Sequence, residues 1–210
     1  GGGTWTPLTD DQPSLAIGAI AIDPTSCSPA PCRTIYVGTG EQTFSTSSYY
    51  GAGILKSTDA GATWTRLAGS DFGRPFSSAI GGAFISSIAV HPTNSQRLLA
   101  GVRITGGGLD GVYCSDDGGA TWGSILGGSP ATEVVIVSST VAYVALGAPG
   151  GAITNGIFKS TDVDDVTCGQ IQLTRLTGPE AVLPQTSYGR IELAVAPFFT
   201  NTIYASIANR

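Results

Sequence analysis

The chain is 210 residues long, 41% of them hydrophobic and only 12% charged, with a formal net charge of -5. Ordinary soluble domains carry about 25% charged residues, so this surface must be covered largely by Gly, Ser, Thr and Asn, while the chain is too apolar to be disordered. The 10 Lys and Arg residues are dispersed and form no basic stripe, which speaks against a nucleic-acid partner, and no apolar run approaches the ~18 residues of a membrane-spanning helix.

Gly1-Gly2-Gly3-Thr4-Trp5 does not look like a signal peptide, so a mature or truncated start is expected. An alternating strand, Ile20-Ala21-Ile22, ends in a turn at Asp23-Pro24. Cys27 and Cys32 then flank Ser-Pro-Ala-Pro, a spacing that can close a small disulfide. Thr34-Ile35-Tyr36-Val37 is the next strand, followed by a long loop from Glu41 to Gly51, the strand Gly53-Ile54-Leu55-Lys56, and the turn Ser57-Thr58-Asp59-Ala60-Gly61-Ala62-Thr63-Trp64, with a fourth strand beginning at the Trp.

The same order returns. Ile88-Ala89-Val90-His91-Pro92, Arg97-Leu98-Leu99-Ala100, a loop from Arg103 to Asp110, Gly111-Val112-Tyr113-Cys114 and Ser115-Asp116-Asp117-Gly118-Gly119-Ala120-Thr121-Trp122 make a second unit. A third runs through residues 133–137, Val141-Ala142-Tyr143-Val144, Gly156-Ile157-Phe158-Lys159 and a degenerate turn, Ser160-Thr161-Asp162, that has lost its Gly and Trp. Leu193-Ala194-Val195-Ala196-Pro197 and Thr202-Ile203-Tyr204-Ala205 open a fourth, and Gly2-Gly3-Thr4-Trp5 matches the tail of the turn motif. Between these short β-branched runs lie Gly and Pro, and no amphipathic helix stands out.

Four antiparallel strands per unit with variable loops define an all-β fold of β-propeller blades, here an incomplete ring; a β-solenoid would have shorter repeats. The expected units are residues 9–67, 68–126 and 127–177, with 1–8 ending a preceding blade and 178–210 starting a further one. In the turn, the Asp carboxylate and the Ser hydroxyl accept backbone N–H groups, Gly takes a positive φ, and Trp packs on the sheet. That assigns a structural role to Ser57, Asp59, Gly61 and Trp64, to Ser115, Asp117, Gly119 and Trp122, and to Ser160 and Asp162.

These turns resemble the Asp-box, or BNR, repeat of sialidases, sortilin-type receptors, xyloglucanase-like glycoside hydrolases and a photosystem assembly factor. The motif defines a blade rather than a function. A sialidase of the resembling kind implies an Arg-Ile-Pro motif, for which Arg190-Ile191-Glu192 is only an echo, and a sortilin-like receptor implies a larger ring with a Cys-rich module. The xyloglucanase-like families imply two acidic residues across a cleft. One follows a strand of Tyr-Ala-Gly-Thr-Asp type, and the matching stretch here, Tyr36-Val37-Gly38-Thr39-Gly40-Glu41, offers Glu41 as catalytic candidate.

Beside it, Phe44, Tyr49 and Tyr50 suit stacking on a sugar, although a loop covering the blade edge is the plainer reading. Asp162, Asp164 and Asp165 offer oxygens to calcium, or else form a solvated acidic loop without the EF-hand Gly and Glu. His91, just before Pro92, is read as a turn residue, and Thr105-Gly106-Gly107-Gly108 as a turn rather than a phosphate loop. With one His, a zinc site would need three or four thiolates, so disulfides are expected: Cys27 with Cys32, the pairing of Cys114 and Cys168 being open. An oxidising, extracellular, periplasmic or cell-surface location follows. No cofactor is expected. The expected function is a binding or structural module for a carbohydrate or protein ligand, completed by further blades of a longer chain or by other copies, with a glycoside hydrolase as the alternative.

Overall fold

The computed structural model describes residues 3–45, 47–72, 82–104, 108–176, 188–196 and 199–209. β1 (Ile17–Ile22), β2 (Ile35–Thr39), β3 (Ile54–Ser57) and β4 (Thr65–Arg66) form a four-stranded antiparallel sheet in that order. β5 (Phe84–Val90), β6 (Leu98–Arg103), β7 (Gly111–Ser115) and β8 (Gly123–Gly127) form the second. β9 (Ala131–Ile136), β10 (Ala142–Leu146), β11 (Gly156–Ser160) and β12 (Thr174–Arg175) form the third. β13 (Tyr188–Ala196) pairs with β14 (Phe199–Asn209) in a hairpin. The fourth strands start one residue after Trp64 and Trp122 rather than at the Trp. Thr105, Gly106, Gly107 and Pro197 lie outside the described residues.

The first strands of successive sheets pack side by side, β1 against β5, β5 against β9 and β9 against β13. They are therefore the innermost strands of successive propeller blades, and the chain is an arc of such blades. The run Leu98-Leu99-Ala100 reads as continuously apolar because its sheet is covered on both faces. Leu98 joins Tyr36, Ile54, Ile85 and Val102 against the first sheet, whereas Leu99 joins Val112, Val134, Val144 and Phe158 against the third. Each such fully buried side chain contributes about 1.5–3 kcal/mol. At the start of the arc, Ala19 and Ala21 of β1 face the second sheet while Ile20 and Ile22 are 68% and 51% exposed on the other side.

The two intact turns share the same Ser, Asp and Thr hydrogen bonds. Ser57 Oγ donates to Asp59 Oδ1 at 2.8 Å and accepts from Gly61 N at 2.8 Å, while Asp59 accepts from Thr63 N at 2.8 Å and from Thr63 Oγ1 at 2.6 Å. Ser115, Asp117, Gly119 and Thr121 repeat this at the same distances. Gly61 and Gly119 have φ of 91° and 93°, as the turn requires. Trp122 Nε1 donates to Gly119 O at 2.9 Å and its ring packs 5.6 Å from that of Phe72. The third turn keeps the bond from Ser160 Oγ to Asp162, whose carboxylate takes Gln172 N in place of a Thr.

Both disulfides form. Cys27–Cys32 closes the β1–β2 loop, and Cys114–Cys168 ties β7 of the second sheet to the turn beyond β11 of the third. Arg97 reinforces the same junction, its Nη2 donating to Val166 O at 2.6 Å and its Nε lying 2.8 Å from Asp116 Oδ1.

Cys114–Cys168 closes a loop of 54 residues and Cys27–Cys32 one of 5. Urea denaturation is expected to show a loss of about 4 kcal/mol for the double Ser variant of the former and about 2 kcal/mol for that of the latter. Ala60 sits at φ 61° where the second turn has Gly118. Ala60→Gly should therefore stabilise the protein by about 0.5–1 kcal/mol in the same assay, unlike most Ala→Gly changes.

Candidate functional site

In each sheet the loop between the second and third strands leaves at the same end as the segment leading into the first strand. The Asp-box-like turns and the β1–β2-type loops occupy the opposite end. Glu41, Phe44, Tyr49 and Tyr50 all lie on the β2–β3 loop. Glu41 N donates to Tyr49 O at 3.0 Å, and its Oε2 receives Tyr49 N at 3.4 Å, which closes the loop on itself. Phe44, held at φ 58°, places its ring 4.7 Å from the Arg103 guanidinium, and Phe84 flanks the other contact at 4.8 Å. Tyr50 packs on Phe84 at 5.2 Å. Of the three aromatics, Tyr49 alone is mostly free, at 73% exposed.

Residues 41–43 turn inward and, with Gly18, Ser86 and Arg190, line a cavity of about 180 Å³ where the inner strands converge. Gln42 Nε2 and Ser86 Oγ both donate to Ala131 O, at 2.9 Å and 2.6 Å. Arg190, on β13, donates from Nη1 to Gln42 O at 3.0 Å and from Nε to Glu192. One wall thus draws on the first, second and fourth units and is anchored on the third.

Two further carboxyl groups meet close by on neighbouring inner strands. Ser87 Oγ of β5 donates to Glu133 of β9, and Glu192 of β13 lies close enough to act on the Glu133 carboxyl. Burial first, and then the Glu192 charge, push the Glu133 carboxyl up to about 7. Sequence reasoning did not single out this pair. The available signal was positional: Ala19, Ser87, Glu133 and Glu192 stand at one equivalent place, four residues before Asp23, His91, Val137 and Ala196.

On the opposite face the turns combine local bonds with bonds to the neighbouring sheet. A cavity of about 260 Å³ lies beside Pro31, Arg33, Thr58, Asp59 and Ala60, and the Asp59 carboxyl, bonded to Thr63 and Ser57, is held down at about 2. His91 is buried, with Nε2 2.6 Å from Ser139 O and Nδ1 accepting Thr93 N at 3.3 Å, a clasp for the turn. Asp164 takes Asn94 Nδ2 at 3.0 Å while Asp162 serves its own turn, and these two are not gathered with Asp165 around one ion. Among the described residues the one Cys/Asp group with metal-like spacing is Cys114, Asp116 and Cys168, whose sulfurs are joined to each other. No helix among the described residues is long and apolar enough to cross a membrane.

No protein-family model matches the sequence, and no curated protein matches it. Solved structures do match in fold. An ancestral GH74 enzyme aligns with TM-score 0.57 and 18% identity over 92% of this chain and 22% of its own. The GH74 xyloglucanase from Xanthomonas campestris gives 0.56 and 20% over 91% and 26%. YCF48 from Cyanidioschyzon merolae gives 0.52 and 14% over 93% and 56%. This chain spans less than two thirds of each. At such identities the likeness is one of fold, and with the arc of sheets it defines a β-propeller architecture.

Because the Glu133 pKa is raised from 4.5 to about 7, the folded chain binds more protons than the unfolded chain between those values. Its contribution is intact below about pH 4.5 and is lost as pH rises through 7. Glu133→Gln should therefore flatten the fall in urea-measured stability from pH 5 to pH 8, by on the order of 1–3 kcal/mol. Equal slopes in the two proteins would refute the assignment.

Proposed function

We propose that this chain forms Asp-box blades of a secreted or cell-surface β-propeller whose loop face binds a carbohydrate or protein ligand near the axis. The observation that carries the reading is the cavity lined by Glu41, Gln42 and Arg190, with the exposed Tyr49 on the same loop as the first two. Polar groups around a concavity, with an exposed aromatic on the adjoining loop, suit a hydroxylated ligand. The two disulfides favour an oxidising compartment. Each unit, at residues 9–67, 68–126 and 127–177, is taken as one blade, with 1–8 and 178–210 belonging to neighbours. The exposed Ile20 and Ile22 suit contact with a further blade of the same protein or with another copy.

A glycoside hydrolase is the second reading, favoured by Glu41 at the cavity and by the GH74 names of the neighbouring folds. Such an enzyme needs two carboxyl groups about 5–9.5 Å apart, with a sugar or water between them. Neither Glu133 nor Glu192 lines the cavity with Glu41, so Glu41 would need another partner.

Isothermal titration of the chain with xyloglucan and with cellulose and chitin oligosaccharides tests the first reading. One of these is expected to bind, with Tyr49→Ala weakening it about tenfold, or ~1.4 kcal/mol, and leaving Tm unchanged. A reducing-sugar assay on the same glycans tests the second. Release by the wild type that vanishes in Glu41→Gln would replace the binding module by a hydrolase.

A further inference from the structure

The junctions inside the arc are all made the same way. A large side chain on the second strand of one sheet shares a core cluster with an aliphatic one on the first strand of the next: Tyr36 with Ile88, Leu99 with Val134, and Tyr143 with Leu193. Strand register makes these positions equivalent from sheet to sheet. Tyr36, Leu99, Tyr143 and Tyr204 stand opposite Ala21, Ala89, Val135 and Ala194, each the residue after Ile20, Ile88, Val134 and Leu193. Ile88, Val134 and Leu193 are buried, as are Tyr36, Leu99 and Tyr143, whereas Ile20 is exposed at one end of the arc and Tyr204 is 65% exposed at the other. The two ends therefore show the two unmatched halves of one repeated contact.

The face at Ile20 is open only near the axis. Ile20, Val37 and Leu55 share one face of the first sheet through their pairing, yet Val37 and Leu55 are buried while Ile20 and Ile22 are exposed. Farther out, Leu8 stands beside Gly61 as Leu67, just beyond β4, stands beside Gly119, and each leucine follows a Trp by three residues, Trp5 and Trp64. The place of a preceding outer strand is thus taken, and two inner strands are what the open part admits. At the far end of the arc β13 and β14 offer such a hairpin, with no third strand on β14 among the described residues. Charge agrees with this match. Equivalent positions meet across the inner junctions, Ser87 with Glu133 and Glu133 with Glu192, and by the same rule Glu192 would meet the uncharged Ala19.

We infer that the first-sheet face at Ile20 and Ile22 receives the β13–β14 hairpin of a second copy of this chain, Tyr204 lying on Ile20 as Tyr36 lies on Ile88. The inference rests on the reading of each sheet as a blade and is independent of the ligand. Two copies joined in this way at both ends supply about eight blades, within the range at which propellers close.

Sedimentation velocity of the chain from about 1 to 100 μM tests it, because a contact of this kind is governed by mass action. The wild type is expected to become a dimer as concentration rises. Ile20→Asp and Tyr204→Asp each place an unpaired carboxylate in the contact and are expected to weaken the dimer about a hundredfold. Both positions are exposed in the single chain, so circular dichroism of the two variants should match that of the wild type. An equimolar mixture of the variants is expected to regain a dimer, since the intact Ile20 of one meets the intact Tyr204 of the other. A wild type that stays monomeric throughout would overturn the second copy as occupant, and oligosaccharide titration of that monomer would still read ligand binding separately. A dimer that Tyr204→Asp leaves intact, or a mixture that remains monomeric, would overturn the head-to-tail contact. A ladder of larger species would overturn closure by two copies.

Discussion

The carbonyl oxygen of Ala131 is where the units of this chain meet. It accepts from Ser86 Oγ, one blade earlier, and from Gln42 Nε2, on a loop of the first blade. Two donors on one carbonyl use both of its lone pairs. They set the spacing of β5 and β9 and pin the inner end of the β2–β3 loop. Arg190 closes the circuit by donating to the backbone oxygen of Gln42 from β13. The axial cavity is thus a product of blade packing, with its polar groups fixed by bonds between units.

The two ends of the blades divide the labour. At one end Ser57, Asp59 and Thr63, repeated in Ser115, Asp117 and Thr121, satisfy their turns with side chains a few residues away. The core of each turn is thus set by its own residues, although Tyr36 and Lys56 of the first sheet also donate to Gly118 O of the second turn. At the other end the loops draw on distant partners, and Phe44, at a left-handed φ, stacks on Arg103. Backbone strain held in place by tertiary contacts is characteristic of binding surfaces.

This division explains what could be read from the sequence. The strands and the Asp-box-like turns were legible because their cause is local: alternation, a Gly at positive φ, an Asp bonded four residues on. So was the Cys27–Cys32 bridge, whose two ends share one loop. Cys114–Cys168 was open because it joins neighbouring blades, and a distance between blades is set by packing. The same holds for Gln42 with Ala131 and for Glu133 with Glu192. Arg190-Ile191-Glu192 was compared with a sialidase motif, whereas its meaning here comes from strand parity: Ile191 enters the core with Tyr143 and Ile157, so Arg190 and Glu192 point away from it.

Parity also separates the two acidic features near the axis. Glu133 and Glu192 occupy equivalent places on adjacent inner strands, so the Glu192 charge adds to burial in raising the Glu133 pKa. The protonated Glu133 therefore suits this packing at low pH, and its ionisation as pH rises through about 7 works against it. Glu41 lies on a loop beyond the strands, with the cavity between it and Arg190. One pair therefore serves the cohesion of the arc, and the other presents a polar wall to whatever enters.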